Sequence, residues 1–156
     1  MDSPLRPDRR RLVLGATALS AAAIAPLLLP KAALATPQAA AELLQKLVKG
    51  TPRQGRVRLQ APDIADNGSS VALAVAVESP MTAQDYVKAI HVVADGNPSP
   101  GVISVRLGPE NGRAEISVRI RLAGSERVIA VAEMSDGSLW TASREVTVTV
   151  GGCGAG

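Results

Sequence analysis

Three hydrophobic patterns follow one another along the chain. From Leu12 to Leu29 the side chains are apolar almost without interruption, broken only by Gly15, Thr17, Ser20 and Pro26. From Ala39 to Lys49 the spacing is helical: Leu43, Leu44, Leu47 and Val48 form one stripe, Thr36-Pro37 suits a helix start and Gly50 a stop. From Val57 onward the period is two. Val57 and Leu59 alternate with Arg56 and Arg58. Val71, Leu73, Val75 and Val77 alternate with alanines, so both faces are apolar and this strand belongs inside a sheet. Ile90 to Ala94, Val102 to Leu107, Ala114 to Leu122, Val128 to Met134 and Leu139 to Val150 complete about seven strands.

Breakers separate these runs: Asp66-Asn67-Gly68, Asp95-Gly96-Asn97-Pro98, Asn111-Gly112 and Asp136-Gly137. Asn-Gly and Asp-Gly tolerate positive φ and predict tight hairpins. Short strands at roughly ten-residue spacing, with no second helix, predict a mainly β fold: an antiparallel β-sandwich with one short N-terminal helix. The predicted core is Leu43, Leu47, Val57, Leu73, Val75, Ile90, Val92, Ile116, Val118, Ile120, Ile129, Val131 and Val146. There is no internal repeat, and no linker long enough to split residues 36–156 into two domains.

Charge changes the picture at the N-terminus. Of the formal net charge of +3, all sits in residues 1–35, where Arg6, Arg9, Arg10, Arg11 and Lys31 face Asp2 and Asp8. Residues 36–156 carry 12 basic and 12 acidic side chains, so the body gives no electrostatic case for binding nucleic acid. Arg9-Arg10, the apolar run and Ala33-Leu34-Ala35 have the order of a twin-arginine signal peptide, residues 1–35, cleaved after Ala35. The expected compartment is the periplasm, with no membrane attachment after processing. A membrane anchor is the competing reading of Leu12 to Leu29, but 18 residues containing Pro26 are short for a span, and a cleavage motif follows. No Cys follows the run, so no lipobox is present.

Composition removes most chemistry. The chain has one His, one Cys, one Trp, one Tyr and no Phe. A structural zinc site, an internal disulfide and an aromatic platform for single-stranded nucleic acid are all excluded by those counts. No Gly-rich phosphate loop and no G-x-S-x-G nucleophile motif is present. A small hydrolase would have to use His91, which reads as a strand residue between Ile90 and Val92. Tyr86 and Trp140 read as packing groups.

The chain ends Gly151-Gly152-Cys153-Gly154-Ala155-Gly156, and its only thiol lies among residues no larger than alanine. Three residues beyond Val150 reach about 10 Å when extended. Residues 151–156 are therefore expected to form a narrow, flexible arm able to carry a thiol into clefts on other proteins. The alternative is a secreted β-sandwich binding module anchored by an intermolecular disulfide through Cys153. Prenylation fails, because Gly154 and Ala155 are not an aliphatic pair.

Several segments together resemble the SoxY family, the sulfur-carrier subunits of the periplasmic thiosulfate-oxidising Sox system. They are the Arg9-Arg10 export signal, Val77-Glu78-Ser79-Pro80-Met81, Asp85-Tyr86-Val87-Lys88, Ile90-His91-Val92, Ile129 to Ser138, and the terminal Gly-Gly-Cys-Gly. The family tail ends Gly-Gly-Cys-Gly-Gly, and Ala155-Gly156 departs from it here. The resemblance implies an immunoglobulin-like sandwich, with residues 36–150 as the carrier domain, and a heterodimer with the small SoxZ subunit. It implies that Cys153 is the covalent sulfur attachment point. The implied transient partners are a c-type cytochrome (XA), a manganese hydrolase (B) and a molybdenum–haem dehydrogenase (CD). The carrier itself is then no enzyme and holds no metal or cofactor beyond the sulfur on Cys153.

Overall fold

The computed structural model describes residues 36–152. A single α-helix, α1 (Pro37–Leu47), precedes nine strands. These are β1 (Arg53–Gln54), β2 (Val57–Gln60), β3 (Ile64–Asn67), β4 (Val71–Val77), β5 (Val87–Ala94), β6 (Gly101–Arg106), β7 (Ala114–Ile120), β8 (Glu126–Met134) and β9 (Leu139–Val150). One sheet has the order β1-β9-β8-β5-β6, with β3 also paired to β9; the other has the order β2-β4-β7. The apolar-on-both-faces strand β4 is indeed the middle of its sheet.

The two sheets bury one core between them. Val71, Leu73, Val75 and Val77 of β4 face Ile90 and Val92 of β5, Val128 and Ala130 of β8, and Val146 of β9 in one cluster. Each fully buried aliphatic side chain contributes roughly 1.5–3 kcal/mol, so a core without Phe is carried by many small increments. The outer side of the larger sheet is covered by the α1 region. Val48, Val131 and Leu139 form a second cluster there, flanked by Leu44 and Ile129. This explains why β5 is buried at every position from Ala89 to Ala94 rather than at alternate ones.

Thr36 caps α1, its Oγ accepting from Ala39 N–H at 3.2 Å, and Pro37 occupies the first turn. The helix stops two residues earlier than its apolar spacing predicts. Val48 leaves it in an extended conformation (φ −128°, ψ 142°) and turns its side chain inward. Leu47 is consequently 37% exposed and not a core residue, while Ala40 is buried in its place. Leu43, Ile116, Val118 and Ile129 are only half-buried; Val57, Leu73, Val75, Ile90, Val92, Ile120, Val131 and Val146 are core.

Two short strands, β1 and β3, were not visible in the sequence, and both pair with β9 in parallel. The segment 53–67 visits β9, crosses to β4 as β2, and returns to β9. The larger sheet is therefore not wholly antiparallel, while β2-β4-β7 is. Of the four predicted hairpins, two are hairpins: β5–β6 and β8–β9. Only the latter uses a positive-φ glycine, Gly137 at φ 82°. Gly112 (φ 69°) instead ends a 3₁₀ turn (Pro109–Asn111) that carries the chain from one sheet to the other. Asp66-Asn67-Gly68 also leads from one sheet to the other.

Candidate functional site

The sequence places its distinctive chemistry at the end of β9, and the structure shows how that end is held. β9 is the longest strand, with 12 residues. It pairs antiparallel with β8 from Leu139 to Val146, and parallel with β3 from Thr147 to Val150. Alternating Val146 and Val148 against Thr147 and Thr149 suits a strand with one packed face. Beyond it the chain does not leave the body at once. Gly68 N–H donates to the Val150 carbonyl at 2.7 Å, and Gly152 N–H donates to the Leu122 carbonyl at 2.9 Å. Leu122 N–H in turn donates to the Gly68 carbonyl at 2.8 Å.

The glycines here serve close approach. A Cβ on Gly151 would overlap the Ala123 carbonyl oxygen, and one on Gly152 would overlap the Gly68 carbonyl and the Ser69 nitrogen. A Cβ on Gly68 would stand 2.8 Å from the Gly152 nitrogen and 3.0 Å from Val148 Cγ1, and would overlap the Leu122 carbonyl oxygen. Neither Gly151 nor Gly152 has positive φ, so space and not backbone freedom is what their lack of side chain provides.

The segment 121–126, on which the tail root rests, is fixed by two buried polar side chains. Asn97 Nδ2 donates to the Arg121 carbonyl and its Oδ1 accepts from Ala123 N–H, both at 2.8 Å. The Glu126 carboxylate accepts from Gly96 N–H at 2.8 Å and from Ala123 N–H at 3.0 Å. Burial pushes the Glu126 carboxyl above its ordinary value, against the opposing pull of those N–H donors. Neither residue carries a sequence signal: Asn97 stands in a breaker and Glu126 among scattered carboxylates. Their pairing across 26 to 30 residues is a product of the fold.

β7 brings one cation, Arg119, to this end. Arg119 Nη1 donates to Ser70 Oγ at 3.3 Å and to the Ser70 carbonyl at 3.4 Å, one residue from the Ser69 backbone against which Gly152 packs. Among the described residues Arg119 forms no ion pair, whereas Arg144, the cation closest to the tail in sequence, is held by Asp63 at 2.6 Å. A groove of about 570 Å³ opens beside this end between the edge strands β6 and β7, lined by Val102, Ile103, Val118, Ile120 and Arg121 among others.

The remaining predicted site residues fall elsewhere. Cys153, Gly154, Ala155 and Gly156 lie outside the described residues, as do Arg9, Arg10, Ala33 and Ala35. His91 is 9% exposed, in the middle of β5, with Nδ1 2.8 Å from Ser104 Oγ on β6. Burial holds its pKa below the ordinary value. Among the described residues no carboxylate bonds its other ring nitrogen. Trp140 is half-buried, with the Arg53 and Arg56 guanidinium groups 4.6 and 5.7 Å from its ring centre. It is a cation–π packing group. Among the described residues no three His, Cys, Asp or Glu side chains gather as metal ligands.

The described residues form a small two-sheet β-sandwich whose longest strand runs into a docked glycine pair. The sequence model described as "Sulfur oxidation protein SoxY" matches residues 44–153, about two thirds of the chain and up to the cysteine itself. The chain belongs to the SoxY family of sulfur-oxidation carriers. Among solved structures it is similar to the sulfur carrier protein SoxY from Chlorobium limicola f. thiosulfatophilum: TM-score 0.62 and 28% identity, over 74% of this chain and 100% of that one. The superoxide reductase (neelaredoxin) from Ignicoccus hospitalis shares the fold alone, with TM-score 0.54 and 19% identity, over 60% of this chain and 80% of that one. No curated protein sequence matches the chain.

Proposed function

We propose that this chain carries thiosulfate-derived sulfur covalently on Cys153 while partner enzymes process it. The observation behind this reading is that the only thiol of the chain immediately follows the docked Gly151-Gly152 root and closes the segment matched by the family. Loading joins the Cys153 thiol to the outer sulfur of thiosulfate, giving Cys-S-S-SO₃⁻. One proton and two electrons leave, and the electrons go to the c-type cytochrome XA. The manganese hydrolase B adds water, releasing sulfate and a proton and leaving a persulfide. The molybdenum–haem dehydrogenase CD takes six electrons from the persulfide sulfur as three waters supply its oxygens and seven protons leave, giving Cys-S-SO₃⁻. A last hydrolysis releases sulfate and restores the thiol. The chain is a protein substrate in this cycle and catalyses none of its steps.

The rest of the reading follows the same resemblance: twin-arginine export through Arg9 and Arg10, cleavage between Ala35 and Thr36, a periplasmic location and a heterodimer with SoxZ. N-terminal sequencing of the periplasmic form is expected to begin at Thr36, and changing both Arg9 and Arg10 to Lys is expected to stop export. An ordinary exposed thiol, of pKa about 8.5, is only a few per cent ionised near neutral pH. Activation of Cys153 is therefore assigned mainly to the partner's cleft. The deciding experiment is intact mass spectrometry after incubation with thiosulfate. An adduct is expected with the cytochrome partner and an electron acceptor, and none without them or in Cys153→Ser. Failure to form the adduct with the partner present overturns the carrier reading. A disulfide-linked species formed through Cys153 in its place favours the anchored module.

A further inference from the structure

We propose that α1 is an acid-operated latch: it lies closed on the larger sheet over His91 while that ring is neutral, and lifts from the sheet when the ring takes up a proton. The latch goes beyond the carrier reading and does not depend on it.

The placement of His91 is the first support. Ile90, Val92 and Ala94 of β5 belong to the core between the sheets. Strand alternation puts Ala89, His91 and Val93 on the opposite side, where α1 packs on β5. The helix meets the sheet on either side of His91. On the β6 side, Leu43 Cδ2 stands 3.1 Å from where a Cβ on Gly101 would be, and Gly101 pairs with Val93. On the β8 side, Leu44 and Val48 pack with Val131, the residue paired with His91. The ring sits between these contacts, buried like its strand neighbours Ala89 and Val93.

The surroundings suit a neutral ring and not a charged one. β6 supplies Ser104, whose Oγ lies 2.8 Å from Nδ1, and further along the cation Arg106. β8 supplies the apolar Val131 and then Glu133, whose carboxylate is already held by Lys88 Nζ at 2.6 Å. On α1, Glu42 and Lys46 are exposed, as is Lys49 just beyond it, so the helix presents only apolar side chains to the sheet. Burial is the main obstacle to protonation, with Arg106 adding to it and Glu133 opposing. A ring that takes a proton here gains most from water.

α1 is the element that can yield and let water in. Among the described residues it is joined to the sheet by apolar contacts, without a side-chain hydrogen bond or ion pair. With 11 residues it is marginal as a free helix, so its order depends on docking. The strands around His91 are tied on both sides and cannot part without opening the core. Lifting α1 exposes the ring and uncovers the apolar Val93, Val131 and Leu139. On the proposed carrier reading the cycle releases protons, so acid is a signal this chain meets while it works.

The test is amide hydrogen exchange, read by NMR on the full isotopically labelled chain at about pH 8 and about pH 5 and corrected for the intrinsic effect of pH. The Val48 amide, which donates to the Leu44 carbonyl at 2.9 Å, reports on the closed helix. Its protection is expected to fall several-fold between the two pH values while that of Leu73 and Val92 persists. Unchanged protection at Val48, or an equal loss at all three, overturns the latch. In His91→Gln, protection at Val48 is expected to be the same at both pH values; a fall like that of the unmodified chain overturns the proposal. Should His91→Gln fail to fold, the His91 ring is titrated by NMR in the unmodified chain. Loss of protection at Val48 is then expected to follow protonation of the ring, and a ring that protonates while α1 stays protected overturns the latch. None of these readouts involves Cys153 or thiosulfate, so they leave the carrier reading to its own test.

Discussion

His91 shows how far a single residue can be read from sequence and where that stops. Its place in a strand is legible from Ile90 and Val92; its partner Ser104 is not, because β5–β6 register sets that contact. Burial lowers its pKa from an ordinary value of 6.5, with the nearby Glu133 carboxylate opposing. The unfolded chain therefore binds the imidazole proton more readily than the folded one. Stability from the neutral ring is fully present above pH 6.5 and is lost as pH falls from there through the folded value. Replacing His91 with Gln is expected to flatten the fall in urea midpoint below pH 6.5 and leave the midpoint above it nearly unchanged. An equal slope in both proteins would show that the histidine is not its source. Glu126 has the opposite sign: its raised carboxyl favours the folded state below the ordinary value of 4.5 and less so as pH rises through the folded value. Glu126→Ala leaves the Gly96 N–H without its acceptor and is expected to destabilise the body by roughly 1–3 kcal/mol in chemical denaturation.

At the scale of elements, what the sequence predicted well were the long runs with one clear period. β9 spans Leu139–Val150, as predicted, and β4 lies at the centre of its sheet. The missed strands were too short or too polar to carry a period. β1 is Arg53-Gln54 alone, and β3 ends on Asp66-Asn67, which read as a breaker. Both exist because the edge of β9 offers partners, which is a tertiary cause. The helix ends before its apolar stripe does, and Val48 takes the inward place. Two substitutions separate these positions. Leu47→Gln is expected to change stability by less than about 0.5 kcal/mol. Val48→Ala, which removes two methyl groups from a buried site, is expected to cost about 2 kcal/mol. Thermal unfolding of the two variants side by side checks the assignment, and equal losses would contradict it. The candidate site was legible as a motif, Gly-Gly-Cys-Gly, but not as a construction. Gly68 and Leu122 are distant in sequence from the tail and meet it only in the folded chain, as Asn97 and Glu126 meet the Ala123 segment beside it.

For the molecule as a whole, the described body is a sandwich of small aliphatic side chains with edge strands β6 and β7 flanking an open groove. A core of this kind gains from burial against another subunit. If the SoxZ heterodimer is the working form, its melting temperature is expected to exceed that of the chain alone and to rise with partner concentration. A melting temperature independent of partner, measured by differential scanning calorimetry, would rule out stabilisation by that route. Because residues 36–156 carry no net charge, this association is also expected to depend weakly on salt.

The placement of β9 has a mechanical consequence. On the proposed carrier reading, withdrawal from a partner's cleft pulls through the C-terminus and along this strand. Its hydrogen bonds to β8, β1 and β3 lie across that direction, so the pull loads them in shear and they share the load. A strand peeled from its end gives way one pair at a time; this one resists as a block. Force spectroscopy through the C-terminus is expected to show a single high-force rupture of the sandwich, with no early step from release of β9. On that reading the body bears repeated withdrawal of its C-terminus without yielding.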